Sequence, residues 1–577
     1  MHRGAGGSIS ADAVLWGEKR NQARTAKPEV LQAIDRGDAV CVDAALIGDE
    51  ADALAGEQVR RIGEETIDPR KDNGTLERGN VGTGNEPEKA AKEHPAPMMQ
   101  VRSQRSYVPA FPRSHVFALL FATACAHAGR VEPAPVFPMP DTPVEAALIP
   151  LPDLTVPPPR EVLDAIPALA TMTLREKAGQ LVMPWFSGEY WSADADPMVA
   201  ALRLVREEGV GGFVVGLGGS AYDLAAKFNA LQRASKLPLF IAADLESGPA
   251  SRIRMATAFP GNMALGASGR EQDAYDTGAI IAMEGRAAGI NFVFAPVVDV
   301  NNNPANPIIN TRSYGEDAAR VGDLGAAFIH GLREHGMLAT AKHFPGHGDT
   351  GTDSHLALPV IMAGRARLDS VELVPFRIAT RAGVDAVMSA HIAMPGITGG
   401  SDLPATLSPM VLDTLLRQDV GFGGLIVTDA LNMGAIVNKY GAAQAAVLAL
   451  KAGADILLMP TDPHAAIDAV VEAVERGEVS EARLDSSVER IVDAKARTGL
   501  FRQRLVDLDA IAGIVGIRAH QDLAQQIAQR SLVLVKDSLG IVPLVGERRR
   551  RALVISYGDE TNETVGAVFA ATLKAGG

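Results

Sequence analysis

Cysteine is almost absent from this chain of 577 residues, which contains only Cys41 and Cys125. Two cysteines cannot build a disulfide framework, and they cannot supply the ligands of a four-cysteine zinc site. Aromatic residues make up only 5% of the sequence, no basic patch with interleaved aromatics occurs, and the formal net charge is −14. A chain with this charge does not attract a phosphate backbone, so we expect no nucleic-acid partner.

Long apolar runs are also scarce, although hydrophobic residues make up 47% of the chain, which is enough for a large core. The run Val116–Ala124 is too short to span a bilayer as a helix. It follows three arginines and precedes Cys125, a pattern that resembles a lipoprotein export signal. We therefore expect residues 98–130 to direct export to the periplasm or cell surface, with a lipid anchor on Cys125. A cytoplasmic protein is the alternative.

The composition changes along the chain, and 577 residues exceed one ordinary domain. Residues 1–97 are rich in Gly, Glu, Lys and Asn, so we expect disorder there, or an upstream segment from a wrongly assigned start before Met98 or Met99. Residues 131–162 are rich in proline and predict an extended linker. A catalytic barrel is expected over residues 163–505. Residues 506–577 then form a linker helix and the truncated start of a second α/β domain.

Strand-like and helix-like patterns alternate from residue 173 onward. The segment Thr173–Glu176 is a capping box that opens a helix. Amphipathic stretches such as Val371–Ala382 and Ala442–Lys451 separate eight apolar runs that are typical of buried strands. These runs are Leu181–Phe186, Val210–Val215, Leu239–Ala243, Phe292–Val298, Leu338–Ala341, Ala386–Ala390, Leu425–Thr428 and Ile456–Met459. The alternation predicts an α/β protein with a (β/α)8 barrel, and a doubly wound open sheet is the alternative.

Polar residues stand where these runs end, which in a barrel is the side that carries the active site. The stretch Lys342–His355, KHFPGHGDTGTDSH, holds three histidines, two aspartates and a lysine. Its proline and glycines exclude a helix, so we interpret the whole stretch as a loop. Asp429 follows the seventh run. A carboxylate held in a dry cleft at such a place can attack a carbon atom or stabilise a developing cation.

The motif KHFPGHG followed by DSH resembles family 3 of the glycoside hydrolases, and more narrowly its bacterial β-N-acetylglucosaminidases. The segments around Asp244, Arg312 and Asp429 are similar to other motifs of that family, and the resemblance extends over about residues 165–535. It implies a retaining exo-β-N-acetylglucosaminidase that releases terminal β-linked N-acetylhexosamine from peptidoglycan-derived fragments of the cell wall. It also implies that the final residues are a remnant of the family's α/β sandwich domain.

The resemblance assigns roles to particular residues. Asp429 would be the nucleophile that forms a covalent glycosyl-aspartate, and His355 with Asp353 would be the acid/base pair. Imidazole titrates near neutral pH, and an adjacent carboxylate keeps it protonated and oriented, so this pair suits that role. The residues implied in sugar binding are Asp244, Arg252, Arg312, Lys342 and His343. Ser247 replaces a glycine usual in the family, so this chain departs from the family pattern in the Asp244 loop. No metal and no organic cofactor are needed.

Three nearby residues have a different expected role. We favour a structural hydrogen-bond acceptor at Asp299, and a structural histidine at His347 that holds the central loop closed. His391, at the end of the sixth run, either touches substrate or is a buried structural histidine.

Other functions fit parts of the same pattern. A β-glucosidase or β-xylosidase of the same family would share Asp429 and the sugar-binding residues, although the Asp353–His355 pair argues against it. A metal-dependent hydrolase would use His343, His347, His355 and either Asp349 or Asp353 as ligands. A non-catalytic protein that binds the cell wall would be marked by loss of Asp429 or His355, and both are present.

Overall fold

The computed structural model describes residues 39–42, 152–156, 169–538, 552–555 and 566–576. The predicted export signal and most of the predicted linker lie outside the described residues, as does nearly all of the segment 1–97. Nine strands of the main region are labelled here: β1 Val182–Met183, β2 Trp185–Gly188, β3 Gly212–Gly218, β4 Phe240–Ala243, β5 Phe292–Val293, β6 Leu338–Phe344, β7 Ala386–Ser389, β8 Leu425–Val427 and β9 Leu457–Leu458. A separate strand, Ala39–Val42, pairs in parallel with Ala552–Ile555.

Helices alternate with these strands. They are Leu174–Gln180, Asp196–Arg203, Ala221–Ala234, Asn262–Ser268, Glu271–Ala287, Ala318–Glu334, Arg365–Ser370, Leu373–Arg381, Pro395–Thr398, Gly434–Val437, Gly441–Ala452, Pro463–Glu475, Glu481–Arg497, Arg518–Arg530 and Ala567–Gly576, with π-helical segments at Leu204–Glu208 and Met410–Asp419. The predicted capping box is present, because the Thr173 hydroxyl accepts from the Glu176 amide and the Glu176 carboxylate accepts from the Thr173 amide. Within the described segments, no helix combines the length and apolar character needed to cross a membrane.

The strands close into a parallel barrel. Strands β2 to β8 pair in chain order, and β9 pairs in parallel with β1. Val427 of β8 bridges to Ile456 beside β9, so the last strand joins both its predecessor and the first strand. Only Pro184 separates β1 from β2, and together they occupy the first of the eight strand positions of the barrel. The (β/α)8 barrel predicted from the sequence is therefore confirmed, and the open sheet is wrong because the sheet has no free edge here.

Burial on both faces of each strand explains why the strands read as continuous apolar runs. All four residues of β4 are fully buried, since one face fills the barrel interior and the other meets the helices. The helices bury only one side. Leu373–Arg381 buries Leu373, Pro375, Phe376 and Ala379. Its Phe376 ring packs edge-on against Phe344 of β6, with the centroids 5.1 Å apart. The barrel wall next to the site is therefore closely packed.

One boundary differs from the sequence prediction. Strand β6 continues to Phe344, so Lys342 and His343 lie within the strand and the loop begins at Pro345. The reason is backbone pairing that the local sequence does not reveal. Lys342 bridges to Val297, and Phe344 pairs with Ser389 across an irregularity after Ala341. As a result, the backbone fixes the side chains of Lys342 and His343 more firmly than a loop would.

Candidate active site

The carboxyl ends of four strands bring the predicted site residues to one mouth of the barrel. Asp244 follows β4 directly, and Asp299 lies beyond the end of β5. Lys342 and His343 come from the end of β6, and Asp429 lies two residues after β8. Contacts described below link Lys342 to Asp244 and His343 to Asp299. The influence of His343 and Lys342 on the pKa of Asp429 places that carboxylate at the same mouth.

Lys342 is the central cation of this mouth. Its Nζ lies 2.7 Å from Asp244 Oδ1 and 2.7 Å from Glu246 Oε1, and the residue is only 2% exposed. Burial alone would lower the pKa of Lys342, but the two carboxylates outweigh burial and raise it. Lys342 is therefore charged at neutral pH, and it holds both acidic side chains in place.

Arg312 forms a two-point ion pair with the same glutamate. Its Nε and Nη2 donate to the two carboxylate oxygens of Glu246 at 2.9 and 2.8 Å, and Nη1 donates to the carbonyl of Ile308 at 3.0 Å. Burial would raise the pKa of Glu246, but Lys342 and Arg312 hold it far below its usual range. The second hydrogen of Arg312 Nη1 has no acceptor among the described residues, so it is the donor free to reach a sugar oxygen.

Glu246 is the site residue that the sequence analysis missed. Its position was a usable signal, because this carboxylate stands two residues after Asp244, just beyond the carboxyl end of β4. Arg252 completes this corner, with Nη2 3.6 Å from Asp244 Oδ2. The loop closes despite the replacement at Ser247, since the Ser251 hydroxyl donates to the Asp244 carbonyl at 3.1 Å.

The carboxylate of Asp299 holds His343 in position. The Asp299 carboxylate is fully buried and accepts the His343 amide at 3.2 Å, the His343 Nδ1 proton at 2.7 Å and the His347 amide at 2.6 Å. Burial would raise the pKa of Asp299, but its histidine neighbours lower it. Asp299 thus has the geometry of a structural acceptor, and it presents His343 Nε2, 3.4 Å from Arg312 Nη2, towards the mouth.

Asp429 is half-buried at the exit of β8, and its Oδ1 accepts the Ala430 amide at 2.8 Å. Burial would raise the pKa of Asp429, but nearby groups, among them His343, the Ala430 amide and Lys342, lower it. The carboxylate is therefore ionised at neutral pH, which is the state required of a nucleophile.

His391 is fully buried, and both of its ring nitrogens contact protein groups. Its Nε2 lies 2.9 Å from the Ala430 carbonyl and its Nδ1 lies 2.8 Å from the Thr406 hydroxyl. A carbonyl can only accept, so Nε2 carries the proton. Burial lowers the pKa of His391 and so favours the neutral ring. Of the two roles left open by the sequence, this geometry fits the structural one, in which His391 supports the Asp429 loop.

The Asp353–His355 pair lies on the loop that follows β6. Asp353 Oδ1 accepts both the amide and the Nδ1 proton of His355, each at 2.8 Å. The His355 side chain is 57% exposed, and its Nε2 has no partner among the described residues. Burial would raise the pKa of Asp353, but the bonds from His355 lower it, so the carboxylate stays ionised. The geometry leaves one oriented imidazole nitrogen open to a ligand.

His347 closes this loop from the inside. Its Nδ1 lies 2.7 Å from the Thr350 hydroxyl and its Nε2 lies 3.0 Å from the Ser354 hydroxyl. Burial is the main reason that the pKa of His347 is lowered to about 4, so the ring is neutral at physiological pH. Both ring nitrogens are occupied, which matches a role in holding the loop.

A shared metal site does not emerge from the histidines of the loop. Within the described segments, no three His, Cys, Asp or Glu side chains converge in an arrangement suited to a metal ion. The Nδ1 of His343 binds Asp299, the Nδ1 of His355 binds Asp353, and His347 has neither nitrogen free. The set of ligands considered for a metal-dependent hydrolase is therefore not assembled.

Comparison with known sequences decides the family. The sequence model of the glycosyl hydrolase family 3 N-terminal domain matches residues 173–494, which is more than half of the chain. The chain belongs to glycosyl hydrolase family 3. The matched region contains the barrel and all of the site residues described above.

Relatives with curated names are similar to this chain. The chain is 35% identical over 343 residues to a beta-N-acetylglucosaminidase/beta-glucosidase of Cellulomonas fimi, covering 58% of this chain and 61% of the relative. It is 32% identical over 403 residues to beta-hexosaminidase LpqI of Mycobacterium tuberculosis, covering 67% of this chain and 98% of the relative. The matches span about three fifths of the Cellulomonas fimi protein and of a beta-hexosaminidase A of Pseudoalteromonas piscicida.

Solved structures share the fold. A β-N-acetylglucosaminidase from Paenibacillus sp. str. FPU-7 superposes with a TM-score of 0.59 at 42% sequence identity, covering 63% of this chain and 69% of that chain. The beta-glucoside phosphorylase BglX superposes with a TM-score of 0.62 at 30% identity, covering 67% and 69% of the two chains. One barrel framework therefore carries more than one reaction on β-glycosides.

Proposed function

We propose that this protein is a retaining exo-β-N-acetylglucosaminidase that hydrolyses terminal β-linked N-acetylhexosamine from peptidoglycan-derived fragments. The observation that carries the proposal is an ionised carboxylate and an oriented, open imidazole in one barrel. Asp429 provides the carboxylate, and His355, held by Asp353, provides the imidazole. These are the two groups that a retaining mechanism needs. The names of the curated relatives support the choice of sugar.

In the first step, an oxygen of Asp429 attacks the anomeric carbon while the bond from that carbon to the leaving oxygen breaks. The proton of His355 Nε2 moves to the leaving oxygen, so the aglycone departs as a neutral alcohol. In the second step, His355 takes a proton from water, and the resulting hydroxide attacks the anomeric carbon. The bond to Asp429 then breaks, and the carboxylate is restored. Acid–base catalysis of this kind typically contributes about 10²–10⁴-fold.

The sugar would be held by the charged corner of the mouth. Asp244 is 38% exposed in its side chain and can accept from sugar hydroxyls, while Lys342 and Arg252 hold it in position. Arg312 would offer its free Nη1 hydrogen, and His343, with Nε2 3.4 Å from Arg312 Nη2, would line the same wall. Because one end of the sugar meets this charged wall, the enzyme would act on a terminal residue.

A β-glucosidase is the second candidate, since the Cellulomonas fimi relative carries both activity names and a structural neighbour is a β-glucoside phosphorylase. The charged corner recognises hydroxyl groups that both sugars possess. The nature of the acceptor is a related choice, because phosphate could replace water in the second step.

The test compares the full-length enzyme on 4-nitrophenyl N-acetyl-β-glucosaminide and on the matching β-glucoside, with and without phosphate. We expect higher kcat/KM on the N-acetylated substrate, no phosphorylated sugar product, and near-complete loss in Asp429→Asn. A matched control is Asp402→Asn, at an aspartate whose side chain is 83% exposed. Equal or better turnover of the glucoside would overturn the sugar assignment, and sugar phosphate as the main product would overturn hydrolysis.

A further inference from the structure

Few contacts hold the segment that carries His355. Gly351, Thr352, His355 and Leu356 are exposed, and a side chain added at Gly351 would meet nothing within 4 Å. Two anchors fix the segment to its surroundings. The Ser354 hydroxyl contacts His347 on the same loop, at 3.0 Å. The His355 carbonyl accepts the amide proton of Gly434 at 3.1 Å, and Gly434 belongs to the loop that carries Asp429.

The second anchor requires a glycine. A Cβ atom at position 434 would lie 2.7 Å from the His355 carbonyl oxygen and 2.8 Å from that of Leu356. Both atoms are backbone, so neither can move without moving the loop. The conformation of Gly434 is not the reason for the glycine, since its φ is not positive. Close approach of the two backbones is therefore what the glycine permits.

The position of Gly434 also suits a donor. It begins the helix Gly434–Val437, whose first amide protons have no partners within the helix. The His355 carbonyl takes one of these protons. The chain from Asp429 to Gly434 is only five residues long and is held by bonds from Leu431 to Leu458 and from Met433 to Ala430. A short, hydrogen-bonded segment thus joins the loop of one catalytic group to the loop of the other.

We propose that Gly434 is a positioning residue that sets the distance between the His355 imidazole and the Asp429 carboxylate through contact with the His355 backbone. This inference rests on the proposed function, in which the two groups act on the same glycosidic bond. Any side chain at position 434 would push His355 away from the leaving oxygen while leaving Asp429 in place. The loss would then resemble loss of the general acid and would depend on the leaving group.

The test is the kcat/KM of Gly434→Ala on two substrates with the same sugar. One is the 2,4-dinitrophenyl N-acetyl-β-glucosaminide, whose leaving group needs no proton, and the other is chitobiose, whose leaving group does. We expect a loss of about tenfold to a hundredfold on chitobiose, part of the full acid–base contribution, and less than threefold on the activated substrate. Gly434→Pro, which also removes the amide proton, should give the same split, and Pro is well tolerated in the first turn of a helix.

Gly423→Ala is the matched control. Gly423 precedes β8, the strand that Asp429 and Gly434 follow, and it has no positive φ. A Cβ atom added at Gly423 would have nothing within 4 Å. This variant should behave as wild type on both substrates. Thermal melting of each variant reports folding separately. Wild-type kinetics in both Gly434 variants would overturn the positioning role while leaving the proposed function intact. Equal losses on both substrates would also overturn it, since a general structural defect has no leaving-group dependence. If His355→Ala itself has wild-type kinetics on both substrates, the proposed function is contradicted, whatever the Gly434 variants show.

Discussion

Arg312 and Glu246 face each other across two parallel hydrogen bonds, with Nε and Nη2 of the arginine 2.9 and 2.8 Å from the two carboxylate oxygens. Glu246 Oε1 also lies 2.7 Å from Lys342 Nζ. One glutamate therefore pairs with two positively charged side chains. It keeps the guanidinium in one orientation, in which a single Nη1 hydrogen is left for a ligand.

Glu246→Gln tests this arrangement. The amide keeps the size of the side chain but removes its charge, so Arg312 loses one acceptor and Lys342 loses part of its neutralisation. A charge-assisted hydrogen bond contributes about 1.5–3 kcal/mol, so we expect kcat/KM to fall roughly tenfold to a hundredfold. Most of the change should appear in KM, because the charged corner binds the sugar in both the ground state and the transition state.

The control for this variant is Glu472→Gln, which removes the same charge from an exposed ion pair with Arg476. Exposed pairs of this kind contribute little, so kinetics and melting temperature should stay at wild-type values. A Glu246→Gln enzyme with unchanged KM would show that the ion pair does not position sugar-binding groups.

The pH dependence of stability should carry the signature of His347. In the unfolded chain this residue titrates near pH 6.5, whereas burial lowers its folded pKa to about 4. Between these values the unfolded state binds more protons than the folded state, so stability falls as the pH drops through this window. The contribution is at most roughly 3 kcal/mol over the full window.

Urea unfolding of wild type and His347→Gln from pH 4 to pH 7 measures this contribution. The variant should be less stable at pH 7, because the contacts with Thr350 and Ser354 weaken, and its stability should depend less on pH. Gln503→Ala, at an exposed residue with no titratable group, is the control and should keep the wild-type slope. An unchanged slope in His347→Gln would contradict a buried neutral His347.

Sequence patterns predicted the barrel well, because each barrel strand is an apolar run and polar residues follow at its carboxyl end. Sequence patterns failed where backbone pairing, or a partner distant in the sequence, determines the role of a residue. Lys342 belongs to β6 only because Val297 and Ser389 extend the pairing, and Glu246 becomes a site residue through an arginine 66 positions away. The contacts of His391 with Thr406 and Ala430 likewise depend on segments that follow other parts of the chain. No local pattern contains such contacts.

Export remains a prediction from residues 98–130 alone. The basic segment, the apolar run and Cys125 motivate it, and they lie outside the described residues. A fusion of residues 99–165 to a reporter should reach the membrane fraction, and Cys125→Ser should release the reporter from the membrane. A reporter that stays in the cytoplasm would contradict both the export signal and the lipid anchor.

The assignment of acid/base chemistry to the Asp353–His355 pair is the central claim, and leaving-group dependence separates it from other losses. Nitrophenolate departs with little protonation, whereas a sugar hydroxyl cannot. His355→Ala should therefore lose about 10²–10⁴-fold on disaccharides and far less in formation of the glycosyl-enzyme from nitrophenyl substrates. Asp353→Ala should show a milder form of the same pattern, since it removes only the group that orients the imidazole.

The most direct measurement is the intact mass of His355→Ala mixed with a nitrophenyl N-acetyl-β-glucosaminide. Without the imidazole, no base activates water, so the second step is slowed more than the first. We predict accumulation of protein carrying one N-acetylhexosamine unit on Asp429, and no such species in His355→Ala/Asp429→Asn. A His355→Ala enzyme with equal losses on both substrate types and no trapped sugar would show that the acid/base lies elsewhere.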